Sequence, residues 1–505
     1  MDKNKQPTMT KPIKYQIVHF TSVKRVGYLA LILIIFSFFS CGKNPQPAPK
    51  PGSKVHITVL YTNDEHGWME PTTTYAGAPG LTYQWKNTEG YDASDNYLIL
   101  SGGDMWSGPS ISTWFRGKSM VQVMNAMGYD ASAIGNHEFD FTVDTLYQRL
   151  SEMHFPLLAA NIVETSTSKI PNFAQPYIIK NIDGVNVGII GLASRSTPTS
   201  TFPANVAGYQ FTDYAAAVTK YAQEAKKAGA TVLIVVGHIC SSEMNSLVSV
   251  AAANGICIIG GGHCHQKYLS RNNGVVLIEA GSNMIAYGKV EFDYSPADST
   301  TSNFQYKIVD NTATKYDAGI GELVNYWQEQ TDNELSDQIG YSDQTIAQSS
   351  AAMQNMVCDS WLHSFPDADV ALTNGGGIRQ SIPAGPVTLS TVVGLLPFEN
   401  TIVKLKLTGQ QLKEMALAGD ICMGGMTTVG GFFLSDGTEI TDAGVYTVLT
   451  TDYLYLRNDY NFSTYDPSPE YTYVHYRQPL TDWLKSIRTS VSDPLSNYLD
   501  YVSRR

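Results

Sequence analysis

The chain has 505 residues, of which 43% are hydrophobic and 16% are charged, and its formal net charge is -12. This composition excludes a disordered chain, because enough apolar surface is present to offset the chain entropy that folding removes. The acidic balance argues against a nucleic-acid polymer as partner, since such binding needs a footprint of lysine and arginine. At roughly 150 residues per domain, the length predicts two large domains or three smaller ones.

The N-terminus has the pattern of an export signal. Lys24 and Arg25 precede the apolar run from Tyr28 to Phe39, which is shorter than the ~20 residues of a membrane-spanning helix. The run ends in Phe39-Ser40-Cys41, which resembles the lipobox of bacterial lipoproteins. We therefore expect residues 1–41 to be a lipoprotein signal, with a lipid on Cys41 that holds the exported protein to a bacterial membrane, on its periplasmic or cell-surface side. A cleaved signal without lipid and a short uncleaved anchor are the alternatives.

Residues 42–54 are rich in proline and predict a spacer between the membrane and the folded protein. The five remaining cysteines form an odd number without a CxxC pair, which excludes a dense disulfide framework. We expect them to be small buried hydrophobic residues, even though two of them lie close to suspected metal ligands. They are Cys240, Cys257, Cys264, Cys358 and Cys422.

Residues 55–314 alternate β-branched runs with helical stretches, which predicts an α/β domain. One helix is predicted from a cap at Asp213 to a stop at Gly229. The predicted strands include Ile57 to Tyr61, Tyr97 to Leu100, Val185 to Leu192, Val232 to Val236 and Ile256 to Ile259.

A helix over residues 315–336 is predicted to connect two domains. Its apolar residues Ile320, Leu323, Val324 and Trp327 recur at helical spacing. Residues 337–505 contain further strands, helices and glycine-rich turns, and are long enough for a second domain with its own core.

Polar side chains follow five apolar, strand-like runs of the first half. Such strand ends converge on the ligand-binding edge of α/β domains, so a metal site is expected where they meet. Together the segments use five of the chain's ten histidines. The side chains at these ends include Asp64 and His66, Asp104, Asn136 and His137, His238, and His263 and His265.

These segments resemble those of the calcineurin-type metallophosphoesterases, and within them the chain is similar to the bacterial 5'-nucleotidase and UDP-sugar hydrolase family. The likeness runs from Val55 nearly to the C-terminus. It implies an α/β fold in which a calcineurin-like domain, a β-sandwich flanked by helices, is joined by a helix to a C-terminal α/β 5'-nucleotidase domain that binds the substrate. The segments that carry the likeness are Thr62 to Gly67, Gly103-Asp104, Gly135 to Glu138, Gly237-His238 and Gly262 to His265.

The resemblance implies two divalent ions, with Asp104 bridging them. Imidazole and oxygen ligands without thiolate suit Zn, Mn, Co or Fe and do not choose among them. One ion is expected on Asp64, His66, Asp104 and His265, and the other on Asp104, Asn136, His238 and His263.

Two such ions ~4 Å apart lower the pKa of a shared water and clamp phosphoryl oxygens, so hydroxide is the expected nucleophile. The family's catalytic dyad corresponds to His137 and Asp140. Asp140 would orient and charge the imidazole beside the departing oxygen. A helix cap is the other role open to Asp140.

In the second half, the glycine loop with Asn374, Gly376 and Arg379 matches the family's substrate-binding segment, and Phe398 corresponds to one side of its aromatic base clamp. Tyr460 or Phe462 would form the other side. Two departures stand out in this half. Ser349 to Ala352 replace the arginine and glutamate that relatives usually carry there, and Arg457 and Asn458 replace two glycines of the relatives' clamp segment.

The sequence thus predicts a hydrolase that releases phosphate from nucleoside 5'-monophosphates. A 2',3'-cyclic nucleotide phosphodiesterase, a 3'-nucleotidase or a UDP-sugar hydrolase would use the same chemistry on another substrate. A lipoprotein that binds a nucleotide or a partner protein without catalysis is the alternative of a different class. The helix near Ile320 is also expected to let Arg379 and Phe398 move toward the metals. The oligomeric state is left open.

Overall fold

The computed structural model describes residues 53–92 and 96–505. The predicted signal and Cys41 lie outside these residues. Within the part of the chain that is described, no helix is both long and apolar enough to cross a membrane.

Two six-stranded sheets form the centre of the first half. One has the order β14-β13-β1-β2-β3-β4 and the other β11-β12-β10-β9-β7-β6. The strands in chain order are β1 (Val55–Thr62), β2 (Tyr97–Ser101), β3 (Ala131–Ala133), β4 (Leu157–Leu158), β5 (Ile162–Glu164), β6 (Tyr177–Ile182), β7 (Val185–Leu192), β8 (Tyr209–Phe211), β9 (Val232–Gly237), β10 (Ile256–Gly260), β11 (Lys267–Asn272), β12 (Val275–Ala280), β13 (Ala286–Ser295) and β14 (Thr300–Asp310).

The two sheets pack face to face. Tyr61 and Leu100 from one sheet share a buried cluster with Ile189, Val236 and Ile258 from the other. Alternate residues of a strand point to opposite faces, so Leu60 and Ile99 instead meet a separate cluster beneath helices. The result is a β-sandwich with apolar layers on both sides of each sheet.

Helices cover the outer faces of the sandwich. Those of the first half are α1 (Gly77–Asn87), α2 (Ser110–Thr113), α3 (Lys118–Met127), α4 (Thr142–Glu152), α5 (Thr197–Ser200), α6 (Pro203–Val206), α7 (Tyr214–Lys227), α8 (Ser241–Ala253) and α9 (Ala318–Leu335). In α7 the Asp213 side chain accepts a hydrogen bond from the Ala216 amide, which makes it the predicted cap. In α9 the residues Ile320, Val324 and Trp327 are buried, as the helical spacing predicted.

The second half is built on a five-stranded sheet of order β19-β16-β22-β18-β23. Its strands are β15 (Gln338–Ser342), β16 (Val370–Asn374), β17 (Gly385–Thr388), β18 (Thr401–Thr408), β19 (Ile421–Gly424), β20 (Met426–Thr427), β21 (Phe433–Leu434), β22 (Val445–Thr451) and β23 (Glu470–His475). Its helices are α10 (Ala351–Ser364), α11 (Leu389–Leu395), α12 (Gly409–Leu417), α13 (Asp452–Leu456), α14 (Phe462–Tyr465) and α15 (Gln478–Ile487).

Each face of this sheet has its own apolar core. Leu449 and Ala371 pack with Trp361 of α10 on one face, and Val448 and Leu405 pack beneath α12 and α13 on the other. The predicted α/β fold class is confirmed, and the strands predicted in the first half are present as β1, β2, β7, β9 and β10. The domain boundaries stay a prediction.

Parallel pairing explains why the polar segments meet. β1, β2 and β3 run parallel in one sheet, and β7, β9 and β10 run parallel in the other. Their carboxyl ends lie at one edge of the sandwich, where the Tyr61 hydroxyl donates a hydrogen bond to the Gly261 carbonyl of the opposite sheet at 2.9 Å. The loops after these strands therefore form one site.

Candidate active site

Asp64 and His66 follow β1, where the regular strand stops. Both have positive φ, 51° and 46°, so the pleat on which their common direction was predicted does not persist. The side chains nevertheless converge, with His66 Nε2 3.9 Å from Asp64 Oδ1. Glu65 turns the other way and accepts hydrogen bonds from the hydroxyls of Thr62 and Ser101.

Asp104 lies at the centre of the site. Its Oδ2 is 2.9 Å from His238 Nε2, 3.9 Å from His66 Nε2 and 4.0 Å from His137 Nε2. Gly135 must be glycine here, because a Cβ would come within 2.0 Å of Asp104 Oδ1. The buried Glu138 carboxylate holds the backbone around Asp104 in place. It accepts hydrogen bonds from the amides of Asp104, Met105 and Gly135.

His263 and His265 reach the site from the loop after β10. His263 Nδ1 lies 3.1 Å from His238 Nε2, and His265 Nε2 lies 3.1 Å from His66 Nε2 and 3.3 Å from Asp64 Oδ1. Asn136 completes the group, with Oδ1 3.2 Å from His238 Nε2. All seven side chains predicted as metal ligands therefore lie together.

These side chains form groups suited to a metal ion. Three sets have ligand atoms that all lie within 4.8 Å of one another. They are Asp64 with His66 and His265, His66 with Asp104 and His137, and Asp104 with His238 and His263. Carboxylate and imidazole donors at such spacing fit a transition-metal ion, for which both are common ligands.

The hydrogen bonding of His238 shows why a cation fits. Its Nδ1 lies 2.9 Å from the Gly102 carbonyl, which only accepts, so Nδ1 carries a proton and Nε2 faces Asp104, Asn136 and His263. Burial disfavours a charged His238, but the Asp104 carboxylate outweighs it and raises the pKa of His238 to about 10. The site thus attracts positive charge at the point where an ion would bind.

The backbone at these donors is held in an uncommon conformation. Non-glycine residues rarely adopt a positive φ, because this conformation costs about 1–3 kcal/mol. Residues that do adopt it cluster at functional sites. The predicted ligands in this conformation are Asp64, His66, Asp104, His263 and His265. Such a strained backbone persists only where surrounding contacts hold it in place. Beside Asp104, the Glu138 carboxylate supplies such contacts.

His137 and Asp140 form a tight pair, with Nδ1 2.6 Å from Asp140 Oδ2. The Thr201 hydroxyl donates to the other carboxylate oxygen at 2.9 Å. Burial lowers the pKa of His137, but the charges of Asp140 and Asp104 outweigh it, so the net direction is upward. Asp140 makes no cap bond to α4, whose N-cap is Phe141, so its side chain serves the imidazole instead.

A cleft of about 570 Å³ opens beside these donors and is lined by both halves of the chain. This volume is typical of a site for a small molecule. From the second half, Asn374, Gly376, Arg379 and Phe398 line it, as the resemblance led us to expect. The Phe398 ring stacks on His137, with ring centroids 5.7 Å apart and planes 14° apart, and the Arg379 guanidinium lies 6.0 Å from the Phe398 centroid.

Tyr460 and Phe462 do not line this cleft, which corrects their expected position. Both are buried in the core beneath α12 and α13, and their rings stack on each other. Their apolar rings are buried beside Leu454 and Met415, and Arg457 covers Tyr460 from the cleft side at 5.0 Å.

Tyr453 occupies the cleft instead, and the sequence reasoning missed it. Its hydroxyl donates to the Thr199 carbonyl of the first half at 3.0 Å and accepts from Arg457 at 2.9 Å. Arg457 is in turn paired with Asp459. A signal was present in the sequence, because Asp452 and Tyr453 directly follow β22, and the candidate metal donors were likewise predicted from their positions at strand ends.

The cysteine prediction was wrong in one respect. Cys240 and Cys264 form a disulfide, with Cα atoms 5.2 Å apart, whereas Cys257, Cys358 and Cys422 are free and buried as expected. The pair is 24 residues apart in sequence, so spacing alone did not reveal it. The convergence of the loops after β9 and β10 brings the two thiols together.

A sandwich with metal donors at one edge and a second α/β half across the cleft defines the two-domain metallophosphoesterase fold. Comparison with known proteins agrees. A family model for the C-terminal domain of 5'-nucleotidases matches residues 330–421. The crystal structure of a 5'-nucleotidase precursor from Thermus thermophilus has a TM-score of 0.75 at 21% identity, and the match covers 89% of this chain and 98% of that one. At that identity the likeness shows the fold.

Sequence relatives point the same way. The 5'-nucleotidase of Bos taurus is 28% identical over 424 residues, which cover 73% of this chain and 72% of the relative. Endonuclease YhcR of Bacillus subtilis is 27% identical over 468 residues, which cover 82% of this chain and only 38% of YhcR. The resemblance to the 5'-nucleotidase family, named above from the motifs, is therefore confirmed.

Proposed function

We propose that this chain is a metal-dependent phosphoester hydrolase that releases phosphate from nucleoside 5'-monophosphates. The observation that carries the proposal is one cleft that is lined by candidate metal donors, by the His137–Asp140 pair and by Arg379. The similarity to 5'-nucleotidases over most of the chain supports the same activity.

The metal-donor groups fit two divalent ions. Asp64, His66, Asp104 and His265 would hold one, and Asp104, Asn136, His238 and His263 the other. Bound there, the ions would supply Lewis-acid stabilisation of phosphoryl oxygens and lower the pKa of a water between them. The central position of Asp104, within 4 Å of donors from both groups, supports its bridging role.

His137 is proposed to hold a proton for the departing oxygen of the substrate. Its Nε2 points toward the metal-donor groups, 4.0 Å from Asp104, while Nδ1 is held by Asp140. A sugar alkoxide is a poor leaving group, so a positioned proton or positive charge lowers the barrier.

The second half is proposed to bind the rest of the substrate. Arg379 carries a charge near the metal donors, and its planar guanidinium suits a phosphate. Phe398 offers an aromatic surface for a base, and Tyr453 offers another in place of the buried Tyr460 and Phe462. Asn374 and Gly376 contribute polar backbone and side-chain groups beside Arg379.

A different phosphoester is the second candidate, and the burial of Tyr460 and Phe462 favours it. Without those rings the cleft lacks the expected partner of Phe398, and nucleotide preference depends on the other aromatic side chains that line it, Tyr453 and Phe202. A 2',3'-cyclic nucleotide or a UDP-sugar would meet the same donors and the same His137.

Phosphate release from a panel of substrates tests both candidates. The protein is treated with a chelator, and Zn, Mn, Co or Fe is restored before AMP, a 2',3'-cyclic nucleotide and UDP-glucose are compared. Restored activity strongest on AMP supports the nucleotidase. Restored activity on another substrate keeps the chemistry and replaces the substrate, and absence of activity with every metal favours a nucleotide-binding lipoprotein.

We further propose that the protein is exported and attached by a lipid on Cys41. The support is the sequence pattern alone. Cys41→Ala should move the protein from the membrane fraction to the soluble fraction of cells and abolish labelling by a fatty-acid analogue. Unchanged membrane association without label would show another anchor.

A further inference from the structure

The disulfide Cys240–Cys264 joins the two loops that carry the histidine donors of the second sheet. Cys240 lies two residues after His238, and Cys264 lies between His263 and His265. A covalent link therefore falls within two residues of three prospective metal ligands. No other disulfide is present among residues 53–92 and 96–505.

The loop after β10 needs such restraint. His263 and His265 have φ of 74° and 55°, a backbone conformation that non-glycine residues keep only where their surroundings hold it. Cys264 lies between them and is itself exposed, so its side chain finds no packed core to hold it. The disulfide instead ties Cys264 to Cys240 and so restrains the loop after β10.

Noncovalent contacts restrain the two histidines unequally. The His263 amide donates to the Asp64 carboxylate, and its ring nitrogen Nε2 lies 3.1 Å from the Ser196 hydroxyl. The His265 side chain is 39% exposed, and it meets His66 and Asp64, which are prospective ligands themselves. His265 therefore depends more on the backbone to which Cys264 is attached.

We propose that the Cys240–Cys264 disulfide is a positioning element of the metal centre, which holds His238, His263 and His265 in ion-binding geometry, and that its reduction loosens the bound metal. The inference rests on the metal centre of the proposed function. A dithiol reduces the disulfide by breaking the S–S bond, giving two cysteine thiols and the cyclic disulfide of the reagent. The exposure of Cys264 makes the bond accessible to such a reagent.

The affinity for Mn is the decisive measurement, because it does not depend on catalysis. The double variant Cys240→Ser/Cys264→Ser removes the bond and leaves no thiolate to replace a lost ligand. We expect it to bind Mn about 10–100-fold more weakly than the oxidised protein, the range found when groups that orient metal ligands are removed. Cys257→Ala, which removes a free buried cysteine of β10, is the matched control and should bind as the parent does.

Chemically reduced parent protein provides the same test if the double variant does not fold. The parent protein is reduced with dithiothreitol, desalted without oxygen and titrated with Mn, and circular dichroism verifies its fold. It should show the same loss, and reoxidation should restore the affinity.

The outcomes separate this inference from the proposed function. Parent protein that binds neither Mn nor Zn would refute the metal centre and this inference with it. Parent protein that binds Mn, with folded reduced or doubly substituted protein binding within twofold of it, would refute the positioning role alone.

Discussion

The substitution Asp140→Asn probes the proton proposed for the leaving group. Asp140 Oδ2 lies 2.6 Å from His137 Nδ1, and the Thr201 hydroxyl holds the other oxygen. An amide at residue 140 keeps the shape of the side chain but removes its charge. The imidazole would then lose the partner whose charge most favours its protonated form.

The expected effect follows from the strength of that contact. A hydrogen bond to a charged group contributes about 1.5–3 kcal/mol, against roughly 1 kcal/mol for a neutral one. The amide oxygen can still accept a neutral hydrogen bond from His137, so the loss is the difference, about 0.5–2 kcal/mol. Since about 1.4 kcal/mol corresponds to a factor of ten in rate, Asp140→Asn should lower kcat on AMP about 2–30-fold. Thr201→Val removes only the supporting bond and leaves the carboxylate in place, so it should lower kcat about 2–10-fold.

Two substrates with different leaving groups reveal the mechanism. AMP releases an alkoxide that needs a proton, whereas p-nitrophenyl phosphate releases a phenoxide that leaves readily without one. The loss on Asp140→Asn should therefore be large for AMP and severalfold smaller for p-nitrophenyl phosphate. Metal content and thermal unfolding are measured for both variants, so that a change in the site itself is not mistaken for lost proton transfer. Equal losses on the two substrates, with unchanged metal content, would refute the role of His137 as the source of the proton.

Three further substitutions test other parts of the site and fold. Asp104→Asn should lower both the metal content and kcat, the latter at least ~100-fold, and an active variant with full metal content would contradict the bridging role. Tyr453→Phe removes the hydrogen bond to Thr199 across the cleft and should raise KM for AMP about fivefold; a KM within error of the parent would exclude the contact from substrate binding. Burial opposes ionisation of Glu89, but hydrogen bonds from Lys289, Tyr287 and Lys307 lower its pKa to about 2, so the stabilisation is present above pH 4.5 and is lost as pH falls toward 2. Urea unfolding of Glu89→Gln should therefore show a loss of about 2 kcal/mol at pH 7, after allowance for solvent screening, and a clearly smaller loss at pH 3; an equal loss at both would contradict the ion pairs.

The candidate metal donors could be grouped from the sequence because each follows an apolar strand. Strand identity depends on local residue pattern, and the carboxyl ends of parallel strands meet at one edge, so a local signal predicts a three-dimensional site. The side-chain directions were less predictable. Asp64 and His66 reach the same site with positive φ rather than through strand pleat, and nothing in their local pattern encodes that backbone.

The second half was harder to predict for a physical reason. Tyr460 and Phe462 carry the apolar rings that a base clamp needs, but the same rings stabilise a core equally well, and the packing of α12 and α13 decides between the two. Tyr453 has no distinguishing composition, and only its place after β22 and across from Thr199 brings it to the cleft. The disulfide likewise depends on two loops meeting, which neither cysteine's neighbours reveal.

The seam between the halves is part of the candidate active site. Asp140 from the first half holds one nitrogen of His137, while Phe398 from the second half covers the face of the same ring and Arg379 lies beyond it. The imidazole is enclosed only when both halves contribute, and enclosure strengthens each charge interaction by excluding water. Hydrogen bonds also join the halves away from the candidate site, such as that between the Ser110 and Ser390 hydroxyls at 2.6 Å, and we expect them to help hold Phe398 against His137.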